Sequence, residues 1–335
     1  MILHPGALAL IVGSSVVLAL LLYASPIAIA VIRRWDLQSS SEGQLALERR
    51  THLVSTIAAA ALGFEVVSTF LFLYTLDDIH PLFAGAMCAI GSLNANPVGW
   101  QVLIVKLVIL FAAPLWIAVN SLDQRAGDFP VIRSRSLGLL VLAPLVALDL
   151  ALQIRYFAGL RPEVITSCCG ALFSVSAGGV ASELAALPAL ATMAVFYGTA
   201  GLLLVLNRLC AWRPSTIARV ALAAMAVGFL VVALASIVSF LSPYVYELPT
   251  HHCPFDMLQA SSGFVGYPVY LALYVAVLFG ILPAVGGTLR RHPSLSALVA
   301  SAEPGWLRLS VAATLVLTAL TTWEVVFSDL SMRGY

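Results

Sequence analysis

Eight apolar runs, each long enough to cross a bilayer as a helix, alternate with short polar connections along this chain. They cover approximately 6–32, 53–76, 98–121, 136–158, 184–207, 217–243, 264–289 and 305–329. A hydrocarbon layer of about 30 Å takes roughly 20 residues of helix, and unpaired backbone groups are too costly there for an open structure. The runs are too long and too evenly apolar for tilted barrel strands. The pattern predicts an all-α polytopic membrane protein with eight transmembrane helices, a single integral membrane helical domain over 1–335. The first run has no basic residue ahead of it, and Arg33 and Arg34 follow it, so it is expected to remain a span rather than act as a cleaved leader.

Composition agrees with the pattern. Of 335 residues, 61% are hydrophobic and 10% are charged, against about 45–50% and about 25% in a soluble globular domain. That excludes a soluble enzyme, a nucleic-acid binder and a disordered tail. The net charge of +1 gives no polyanion signal, and no phosphate-binding Gly-Lys-Ser/Thr loop is present. Neither nucleic acid nor nucleotide is therefore expected as a partner; the lipid bilayer is.

Charge placement orients the spans. Thirteen of the sixteen Arg lie in or beside alternate connections, around 33–52, 122–135, 208–219 and 290–308. The opposite side holds Arg155, Arg161 and Arg333, and collects Asp77, Asp78, Glu163, Glu183, Glu247, Asp256 and Asp329. The positive-inside rule predicts Arg-rich loops in the cytoplasm and both termini outside, in the periplasm of a bacterial inner-membrane protein. Segment 36–48 reads as a polar loop or short surface helix.

The outer connections are short and semi-apolar, and each carries cysteine: Cys88, the vicinal pair Cys168 and Cys169, and Cys253. The intervals from 88 to 169 and from 169 to 253, 81 and 84 residues, suggest three helix–Cys segment–helix repeats. Four thiols at one depth, with His80, His251 and His252 nearby, point to a shared cluster. Structural disulfides stapling the loops are one reading. A second is a thiol relay exchanging with a periplasmic partner or passing electrons to quinone. A third is a metal or haem site, because His251-His252-Cys253 is a dense ligand group suited to copper, iron or zinc. The dedicated Cys-x-x-Cys motif is absent, since Asp256 stands where its second cysteine belongs.

Two charges lie deep in consecutive spans: Glu65, and Lys106, the one lysine of the chain. The pair is expected to interact directly, either to set helix register or as a site where Glu65 titrates for proton or quinone chemistry. Asp149 and Glu324 are also deep, and Asp149 has Arg155 as its nearest partner in sequence.

Two functional classes stay open. One is a subunit of a redox assembly whose outer Cys/His cluster serves electron transfer, thiol exchange or docking of other membrane or periplasmic redox subunits. The other is a transporter or metal-handling permease using the same patch, with a non-catalytic anchor carrying structural disulfides as the plainest case.

Overall fold

The computed structural model describes residues 1–39, 41–162 and 180–332. Their long helices are α1 (Pro5–Arg34), α2 (Glu42–Ile79), α4 (Gly99–Arg125), α5 (Ile132–Gly159), α7 (Ala189–Trp212), α8 (Thr216–Ser236), α10 (Gly266–Leu289) and α11 (Pro293–Phe327). Short helices α3 (Ala89–Asn94), α6 (Val180–Ala185) and α9 (Ser242–Tyr246) lie between them. Among the described residues, eight helices are long and apolar enough to span a membrane, and no strand occurs.

Helix ends follow local chemistry. Segment 36–48 is mostly the first turns of α2, because the Ser41 hydroxyl accepts from the amide of Gln44 at 3.4 Å and starts the helix early. The last span likewise begins early, with Pro293 in its first turn. The fifth span starts at Ala189 rather than 184. Pro188, extended at φ −60° and ψ 120°, separates α7 from α6. Between α8 and α9 the helix widens into a π turn, Ile237–Leu241.

The chain divides into two compact units. The first comprises Met1–Leu76, Leu93–Pro162 and Leu289–Ala300. Here α1, α2, α4 and α5 interlock through buried small and aliphatic side chains, among them Val17, Leu21, Ala58, Leu62, Ala113 and Val146. Lipid tails are as apolar as these residues, so close packing and interhelical hydrogen bonds, rather than escape from water, hold such helices together. A polar knot closes the α4–α5 connection. Arg135 reaches Asp123 at 3.3 Å and Asn120 at 3.0 Å, and Asp123 also accepts from the amide of Val131.

The second unit contains Asp77–Ser92 and the described residues of Glu163–Thr288 and Ser301–Tyr335. Phe196 packs against Phe229 and Phe240 in its interior. Asn207 donates to Ser310 at 3.3 Å, and Ser310 donates to the carbonyl of Ala276. Arg219 grips Glu303 with two parallel bonds, 2.7 and 3.2 Å, both side chains buried.

Candidate functional site

The cysteines of two connections meet in the second unit. Cys88 stands just before α3, and its carbonyl accepts from the amide of Gly91 as that helix begins. Cys253 lies between α9 and α10, within a loop held from several directions. Tyr246 donates to the carbonyl of Cys253 at 2.8 Å, and Tyr270 to that of Pro254 at 2.7 Å. A one-turn 3₁₀ helix, Asp256–Leu258, follows. It lies so close to Gly266 that a Cβ there would stand 2.9 Å from the backbone of Met257, so glycine is required at the entry to α10.

The two thiols are fully buried, with Sγ atoms 3.4 Å apart. That is contact distance, longer than the roughly 2.05 Å of a bonded pair. Cys253 Sγ donates to Asp256 Oδ1 at 3.3 Å. The ligand atoms of Cys88, Cys253 and Asp256 all lie within 4.8 Å of one another. Apolar side chains enclose them: Ile90, Ala185, Val238, Leu184 and Phe255.

Asp256 faces two ways. Its Oδ2 accepts from Nε2 of His251 at 2.5 Å, and that ring is half-buried against Tyr246, centroids 4.6 Å apart. Burial opposes ionisation of Asp256, but hydrogen bonds from His251 and from both thiols outweigh it and hold the carboxyl below its ordinary value. The thiol pair therefore adjoins a carboxylate, which in turn adjoins an imidazole nearer the surface.

His252 takes a different role. Its Nδ1 donates to the carbonyl of Val238 at 2.9 Å, within the π turn. A π turn shifts the register of helical bonding, and here one of its carbonyls anchors the residue beside Cys253. His80, just past the end of α2, bonds to the carbonyl of Asp77 in that helix's last turn. Gln259 joins the connections, donating to Asp77 Oδ1 at 3.2 Å and to the carbonyl of Met87 at 2.8 Å.

Of the residues the sequence singles out, Cys88 and Cys253 are brought together and His251 joins them through Asp256. His80 and His252 are engaged with backbone carbonyls. Cys168 and Cys169 lie outside the described residues. Glu65 and Lys106 belong to the first unit, where Lys106 pairs with Asp149 at 3.0 Å. Glu65 reaches that pair through Ser68, so the direct Glu65–Lys106 contact expected from depth alone is replaced by a bridged one. The residue missed outright is Asp256. Three positions after Cys253 in a tight turn, it occupies the second place of a Cys-x-x-Cys spacing, while the second sulfur comes from a connection 165 residues away.

Eight apolar helices and a buried thiol–carboxylate cluster define an all-α polytopic integral membrane protein, whose spans suit contact with the lipid bilayer. No protein-family model, curated protein or solved structure matches the chain.

Proposed function

We propose that this protein is the membrane subunit of a redox assembly in which Cys88 and Cys253 form a reversible thiol–disulfide couple. The observation that carries the reading is the pair of sulfurs 3.4 Å apart in an apolar pocket with a carboxylate at 3.3 Å. Closing the disulfide removes two electrons and two protons. Both sulfur–hydrogen bonds break, one sulfur–sulfur bond forms, and a quinone oxidant takes up two electrons and two protons to become quinol. Asp256 takes the proton of Cys253 and passes it to His251, leaving the thiolate, and the proton of Cys88 leaves as the sulfur–sulfur bond closes. Complete burial of the thiols favours a small membrane-soluble oxidant, a quinone reduced to quinol, over the bulky disulfide of a protein partner. The Arg asymmetry supports an arrangement in a bacterial inner membrane with these connections and both termini on the periplasmic side.

A chain with Cys168, Cys169 and Cys210 replaced by Ser isolates the pair. On adding a soluble quinone analogue and quenching in acid, its alkylatable thiols are expected to fall from two to zero together as quinol accumulates. Cys253→Ser should leave Cys88 unoxidised, and Asp256→Asn should slow the step about 10²-fold, the lower range for a lost proton acceptor. Thiols untouched by quinone but consumed by a disulfide substrate would assign the electrons to a periplasmic partner instead.

A second reading rests on the same three groups. Two thiolates and a carboxylate within 4.8 Å suit a thiophilic ion such as zinc or copper. Stoichiometric metal in the purified protein, lost in Cys88→Ser, would favour it.

A further inference from the structure

The two sulfurs come from connections far apart in sequence, and their separation depends on how those connections are held to each other. The apolar side chains around them supply non-directional attraction, which does not by itself fix a sulfur–sulfur distance. Directional bonds do, and one side chain makes two of them across the gap. Gln259 follows the 3₁₀ turn that carries Asp256. Its amide nitrogen donates to Asp77 Oδ1 at 3.2 Å and to the carbonyl of Met87 at 2.8 Å. Asp77 lies in the last turn of α2, and Met87 immediately precedes Cys88. Both partners can only accept, so the nitrogen must face them, and each of its two hydrogens has a use.

The clamp is fixed at both ends. On the Cys253 side, the amide of Gln259 donates to the carbonyl of Asp256 at 3.0 Å, and its carbonyl accepts from the amide of Phe264 at 3.1 Å. Tyr246 and Tyr270 hold the carbonyls of Cys253 and Pro254, so little slack separates Gln259 from the sulfur. On the Cys88 side, His80 bonds to the carbonyl of Asp77 and stands 3.7 Å from its Oδ1, next to the carboxylate that receives Gln259.

On the thiol–disulfide reading of this site, we infer that Gln259 is a positioning residue: it raises the effective concentration of one sulfur at the other and so sets how readily the disulfide forms. The chemistry itself is unchanged. Two sulfur–hydrogen bonds give way to one sulfur–sulfur bond, and the two electrons and two protons pass to the quinone. In the dithiol the sulfurs are in contact but not bonded, and ordering the two connections costs chain freedom that the clamp has already removed. The coupling is reciprocal. A disulfide that holds the connections together favours the clamp, and the clamp favours the disulfide by the same factor.

Redox titration in dithiothreitol buffers of stepped potential tests this, using the chain with Cys168, Cys169 and Cys210 replaced by Ser. Gln259→Met keeps the length but has no hydrogen to give. At a fixed buffer its disulfide-to-dithiol ratio is expected to fall about tenfold, a midpoint less negative by about 30 mV. Gln259→Glu should shift it further, because a carboxylate would then face another carboxylate and a carbonyl. Adding Asp77→Asn to Gln259→Glu should recover part of the shift, since asparagine can donate where aspartate cannot. A role confined to folding would lower the melting temperature of the reduced protein and leave the midpoint in place. A single two-electron transition whose midpoint is unmoved in Gln259→Met and Gln259→Glu, or moved to more negative potential, overturns the clamp and leaves the couple standing. A parent chain without any transition overturns the couple, and the clamp with it.

Discussion

Replacing Lys106 with methionine is expected to destabilise the protein by about 3–5 kcal/mol, the range for removing one partner of a buried ion pair. Lys106 is the donor that satisfies Asp149 and one lone pair of Ser68. Methionine fills similar space without a hydrogen to offer. Replacing both partners, as Lys106→Met with Asp149→Leu, removes the stranded charge and should restore most of the loss. Pairing Lys106→Met with Glu65→Gln should restore little, because Glu65 touches the lysine only through Ser68. Unfolding monitored in mixed micelles of rising denaturing-detergent fraction gives the four stabilities. Equal rescue by the two double variants would contradict the assignment of Asp149 as the counterion.

Glu303→Ala is expected to cost as much, again about 3–5 kcal/mol. Arg219 holds Glu303 through both Nε and a terminal nitrogen, and an arginine cannot neutralise itself by shedding a proton. The stranded guanidinium would stay charged within the second unit. Arg219→Lys should give an intermediate loss, because an ammonium cannot reproduce the two parallel bonds. Arg219→Met combined with Glu303→Leu should recover much of the stability. The same unfolding assay reads the coupling, and strictly additive losses would show that the pair contributes no interaction.

These two pairs also show where sequence reading reaches its limit. Hydropathy reports how long a segment stays apolar, so six of the eight spans are legible to within about five residues, while the second and last helices start 11 and 12 residues ahead of the apolar runs at 53 and 305. Helix caps and prolines move the ends, as Ser41 and Pro188 do. Which face of a helix meets which neighbour is decided by packing between segments remote in sequence. Depth counting therefore joined Lys106 to Glu65, although the α4–α5 contact delivers Asp149. Arg219 and Arg135 read as loop charges, yet each is buried against an acid. At the thiol site, convergence of Cys88 and Cys253 followed from their shared depth. Asp256 was visible only as the residue that broke a Cys-x-x-Cys motif, because nothing local to it reveals a sulfur arriving from another connection.

The most direct measurement of the central claim is a redox titration of the Cys88–Cys253 pair in the variant lacking Cys168, Cys169 and Cys210. Membranes are equilibrated in dithiol buffers of stepped potential, quenched in acid, alkylated and sorted by mass. The account predicts that both thiols disappear in one transition, with the dithiol-to-disulfide ratio changing tenfold per about 30 mV, as a two-electron couple requires. The oxidised fraction should carry a peptide cross-link joining residues 88 and 253. Two thiols that remain alkylatable at every potential would contradict it.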